Sequence, residues 1–102
     1  MIRQGDLLLI PVPAIPPGLP RREGRLILAT GEATGHAHVI DDPAAVLWGD
    51  ELDTRFLEVT ATVDLVHTSN PADHDTLTIP AGFYQVRRQR EYTPEAVRLV
   101  GD

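Results

Sequence analysis

The chain has 102 residues, 42% hydrophobic and 24% charged, an ordinary balance for a single domain with one core. Its formal charge of −6 repels a phosphate backbone and disfavours general nucleic-acid binding, and the absence of cysteine excludes disulfides, thiolate catalysis and sulfur-ligated zinc. No charged-then-apolar leader opens the sequence and no apolar run approaches the roughly 18 residues of a membrane span, so the expected setting is the cytoplasm, with no membrane partner.

Nine prolines and eight glycines cut the chain into pieces too short for well-formed helices and suited to strands. Residues 6–12 form a continuous apolar run and predict a core strand, buried on both faces or covered by the loop after it. Residues 11–20 carry five prolines and predict an extended surface connection. Residues 24–29 and 36–40 predict two strands of a hairpin, joined by a turn over 30–35. Turns at 41–43 and 49–53 frame a short strand at 45–48, and 55–59 and 61–67 alternate clearly, so that Val63, Leu65 and His67 share one face. A short strand at 76–79, a tight turn at 80–82 and a long strand at 83–90 complete the series. The order Thr93-Pro94-Glu95 is that of a helix start, so residues 93–96 allow one helical turn. The expected fold is one all-β domain, a small barrel or sandwich of about eight short antiparallel strands.

The concentrated chemical signal is histidine. All four fall at two places: His36 and His38 in Gly35-His36-Ala37-His38, and His67 and His74 around the polar residues 68–73. On a strand, residues i and i+2 point to one face, so His36 and His38 can offer two imidazoles to one ion, with His67 or His74 as a third ligand. The cofactor this implies is a divalent metal, zinc, iron, nickel or manganese. Asp41, Asp42, Asp73 and Asp75 lie near these histidines in sequence, and Asp75 is the first choice to orient an imidazole from behind. A plainer explanation, solvated histidines on a hairpin and at the ends of a loop, stands beside this one.

All nine basic residues are arginine. Arg88, Arg90 and Tyr92 continue the strand face of Tyr84 and Val86, where two guanidiniums and a phenol could hold a phosphate or carboxylate. The competing expectation pairs these arginines with Glu91, Glu95 or other surface acids. Trp48, the lone tryptophan, reads as a core or edge anchor.

Two resemblances bear on function. Gly31, His36, His38, Asp41 or Asp42, and Pro80-Ala81-Gly82 fall in the order of the metal-binding motifs of the cupins, which implies a small barrel with His36 and His38 as ligands. Asp stands where the cupins carry Glu, and Gln85 where they carry the last histidine. The segments Gln4-Gly5-Asp6-Leu7-Leu8-Leu9-Ile10-Pro11-Val12, Gly31-Glu32-Ala33-Thr34-Gly35-His36-Ala37-His38 and Arg88-Gln89-Arg90-Glu91-Tyr92-Thr93-Pro94-Glu95 resemble a family of small bacterial or phage proteins to which no activity is attached. The leading expectation is therefore a β protein binding a divalent metal through its histidines. If it is an enzyme, hydrolytic or oxygen chemistry at an open metal position is the kind available. The alternative is a non-catalytic interaction or assembly module, contacting a protein partner or copies of itself, and a third reading is a phosphate- or RNA-associated domain.

Overall fold

The computed structural model describes residues 1–30, 36–50, 54–68 and 76–88. These form ten strands: β1 (Ile2–Gln4), β2 (Leu7–Val12), β3 (Arg21–Arg22), β4 (Arg25–Thr30), β5 (Ala37–Asp41), β6 (Ala45–Trp48), β7 (Phe56–Val59), β8 (Val63–Thr68), β9 (Leu77–Ile79) and β10 (Gly82–Arg88). Six make one sheet in the order β1-β2-β10-β7-β6-β3, and four make a second in the order β4-β5-β8-β9. Every pairing is antiparallel. Of the two architectures the sequence allows, this is the sandwich: each sheet ends in edge strands and does not close into a barrel.

The two-residue period explains which side chains meet between the sheets. Leu7 and Leu9 of β2, Leu57 and Val59 of β7, and Tyr84 and Val86 of β10 face Leu26 and Leu28 of β4, Ile40 of β5, and Val63 and Leu65 of β8 in one buried cluster. The apolar run of β2 is buried on both faces, as its composition predicts: Leu8 points away from that cluster and stands between its cross-strand neighbours Arg3 and Arg87, whose aliphatic stems can shield it.

Eight strands match the predicted ones to within a residue or two, and two are additional. β1 and β3 are three and two residues long, lie at the edges of the larger sheet and read Ile-Arg-Gln and Arg-Arg, so neither carries a run of alternating apolar residues. Charge at an edge also discourages a further strand from pairing there. Trp48 lies near one such edge, half-buried, with its indole Nε1 donating to Glu58 Oε1 at 2.9 Å and the Arg21 guanidinium 5.7 Å from its ring centroid. The predicted 30–35 turn falls largely, and the helical turn at 93–96 wholly, outside the described residues.

Two local irregularities position the site. β1 and β2 are joined by Gly5-Asp6 alone, and Gly5 has φ +59°, the left-handed value that the first position of a tight II′ hairpin turn requires. β4 carries a bulge: Ile27 pairs with Val39 and Ala29 with His38, leaving Leu28 as the extra residue. Leu9→Ala, at a side chain with no exposure in the central cluster, should cost about 2–5 kcal/mol in chemical denaturation, whereas Ile27→Ala, at an exposed position, should cost well under half as much.

Candidate functional site

His38 is 1% exposed and lies on the inward face of β5, two residues before Ile40, so the sheet period delivers an imidazole to the end of the apolar core. Burial of a polar ring requires partners, and here they come from the other sheet. His38 Nδ1 stands 2.8 Å from Gln4 Oε1, and Gln4 Nε2 donates to the Leu65 carbonyl at 2.9 Å. Because the carbonyl can only accept, it orients the Gln4 amide with its oxygen toward the ring, and Nδ1 must carry the proton. The lone pair of a neutral His38 is thereby assigned to Nε2.

Nε2 faces Asp6. The distance to Asp6 Oδ1 is 3.5 Å, while Asp6 Oδ2 accepts from Arg88 Nη2 at 2.9 Å. Burial, and then the neighbouring His67, push the His38 pKa below its ordinary value of 6.5, against the opposing pull of Asp6. Burial alone would raise the Asp6 carboxyl, but the hydrogen bond and charge of Arg88, joined by the charge of His38, hold it below the usual value. At neutral pH the two groups are thus an imidazole lone pair and a carboxylate.

The other histidines gather at the same place. β5 and β8 pair with His38 directly opposite His67, and the two rings stack with centroids 4.3 Å apart and planes 9° from parallel. His36, two residues along the same face of the chain, meets His67 edge-on, at 5.9 Å and 83°. The proximity of His36, His38 and His67 expected from the sequence is therefore present. Their orientation is not that of three ligands on one ion, since the lone pairs of stacked rings run side by side; among the described residues no group of three His, Cys, Asp or Glu is arranged to hold a metal. His74, Asp75, Arg90 and Tyr92 lie outside the described residues. Asp41 and Asp42 follow the inward-facing stretch of β5; Asp41 is exposed at the strand end, and the Asp42 carboxylate accepts from the Ala44 amide in a turn. Gln85 sits on the face of β10 opposite to buried Tyr84 and Val86, away from the histidines.

Gln4, Gly5 and Asp6 are site residues without a counterpart among the sequence expectations, and all belong to the β1–β2 hairpin, Gln4 as the last residue of β1 and Gly5-Asp6 as its turn. Gly5 packs its backbone against the rings: a Cβ there would lie 3.3 Å from His38 Cε1 and 3.7 Å from His67 Cε1. The available signal was Gly-Asp between two extended runs, a two-residue hairpin pattern. Of the two expectations for Arg88, an anion ligand beside Arg90 and a partner of the protein's own acids, the structure shows an acid partner, Asp6.

The fold and site define a small antiparallel β-sandwich with a histidine, aspartate and arginine cluster where its two sheets meet. The chain belongs to the family described as a domain of unknown function, DUF8820, which matches residues 3–89. No curated protein and no solved structure matches it. Among the described residues no helix is long and apolar enough to cross a membrane.

Gly5→Ala places an L-residue in the left-handed region and a methyl against two rings. It should cost at least about 1–2 kcal/mol in denaturant unfolding and shift the ring resonances of both His38 and His67. An unchanged or raised stability would mean that the turn does not hold the rings.

Proposed function

We propose that the protein binds a divalent transition metal where the sheets meet, with His38 Nε2 and the Asp6 carboxylate as the pair that fixes it. The observation that carries this reading is the gap between them. A proton shared by an imidazolium and a carboxylate draws the heavy atoms to about 2.7–2.9 Å. Two ligands each about 2.1 Å from one tetrahedral ion stand roughly 3.4 Å apart. The observed 3.5 Å lies nearer the second separation than the first.

The supporting residues suit the same purpose. Metal-binding imidazoles donate their other N–H to a fixed acceptor, and metal-binding carboxylates are themselves hydrogen-bonded. Gln4 does the first for His38 and Arg88 the second for Asp6. Completing the set takes a rotation of His36 or His67 toward the ion, unstacking His67 from His38 in the second case. Imidazole with carboxylate suits zinc, iron, nickel or manganese, and with few protein ligands the ion would keep open positions for water or substrate. His74 and Asp75 enter no step of this reading.

The test is elemental analysis and calorimetric titration of untagged, chelator-stripped protein with zinc, nickel, manganese and ferrous ions. The expected result is near-stoichiometric binding of at least one, lost in both His38→Ala and Asp6→Asn while circular dichroism shows the sandwich intact. No uptake after reconstitution, or uptake unchanged in both variants, would overturn the proposal and leave a histidine and carboxylate that act only on protons.

A further inference from the structure

The outer face of the larger sheet carries side chains that the core does not use. On β6, β7 and β10 the two-residue period sends Leu47, Leu57 and Tyr84 into the core, and therefore Trp48, Glu58 and Phe83 outward. Register brings these three together. Phe83 pairs with Glu58, and Trp48 stands diagonally across from Glu58, whose Oε1 accepts the indole N–H at 2.9 Å. With residues 15–18 of the proline-rich connection they line a pocket of about 310 Å³. Among the described residues no cation pairs with the Glu58 carboxylate; its partner is the neutral indole, and Pro16 and Pro17 have no N–H to offer it. Arg21, 5.7 Å from the Trp48 ring centroid, is paired with Glu23 and does not line the pocket.

We infer that this pocket binds a small alkylated ammonium ion. One carboxylate set among Trp48, Phe83, Ile15 and two prolines matches a cation whose charge is wrapped in alkyl groups, and aromatic walls attract such a cation as well. The other cations suit it less. A hydrated metal ion would need several oxygen ligands in exchange for its water, and the described lining has one acidic side chain. A guanidinium is held best by both oxygens of a carboxylate, and here Oε1 is already engaged by the indole. The formal charge of −6 draws cations toward the molecule as a whole. The volume stands at the small end of the roughly 300–1,000 Å³ typical of ligand pockets, which fits a ligand of few heavy atoms. This site lies on the outer face of the sheet, whereas His38 lies on the inward face of β5, so it does not rest on the metal reading.

Trp48 is the lone tryptophan and lines the pocket, so its fluorescence reads occupancy directly, with calorimetry as a second signal. Chelator-stripped protein, with no metal present, is titrated with choline and with its neutral isostere, the alcohol in which carbon replaces the ammonium nitrogen. Glu58→Gln accompanies it, a change that keeps a carbonyl acceptor for the indole N–H and removes the charge. The expected result is saturable choline binding, weaker by about tenfold or more for the neutral isostere and in the Glu58→Gln protein. The isostere tests the charge on the wild-type chain, so the outcome does not depend on the variant folding. No saturable choline binding by either signal, equal affinity for the neutral isostere, or equal affinity in a folded Glu58→Gln protein would overturn the inference whatever the metal titrations show.

Discussion

The site depends on one hydrogen bond, from His38 Nδ1 to Gln4 Oε1 at 2.8 Å. Gln4 is 3% exposed and is held from its other end by the Leu65 carbonyl, so the amide spans from an edge strand of the larger sheet to two strands of the smaller one. A buried imidazole without partners would be costly. With Gln4 in place, its tautomer, its ring orientation and the direction of its free lone pair are set together, and the chemistry proposed for Asp6 and the histidines depends on that direction.

The rest of the fold can be understood as what brings these groups into register. Antiparallel pairing of β5 with β8 puts His67 opposite His38, and the two-residue Gly5-Asp6 turn carries Asp6 over the same rings, with no Cβ on Gly5 to push them away. Pairing of β2 with β10 sets Leu7 opposite Arg88, so Arg88 comes within reach of Asp6 as a consequence of register. Arg88 also lines a pocket whose wall includes the bulged stretch of β4. Asp6 thus stands between the Arg88 guanidinium, which holds its charge, and the imidazole of His38.

Much of this was legible in the sequence, and the parts that were not share a cause. Strands with internal apolar periodicity, such as the run through Leu7, Leu8 and Leu9 and the alternation Val63, Leu65, His67, announce themselves because burial dictates their pattern. The gathering of His36, His38 and His67 could be anticipated from strand period and from their confinement to two places. Gln4 and Asp6 could not be assigned, because they reach His38 only through contacts between residues more than thirty positions apart, and β1 is too short and too polar to declare itself. Arg55 is a lone arginine in sequence and comes beside β10 only when β7 is laid against that strand. The choice of sandwich over barrel lay equally beyond the pattern of single strands, since it is decided by which edges close.

The measurement that bears most directly on this account is the protonation pattern of the His38 ring, read from long-range nitrogen–proton correlations of the metal-free protein at neutral pH. The account predicts the neutral ring with its proton on Nδ1 and an unprotonated Nε2, and predicts that stoichiometric zinc shifts the Nε2 resonance. A proton on Nε2, or a ring carrying both protons at neutral pH, would contradict it, because the atom assigned to the ion would already be occupied.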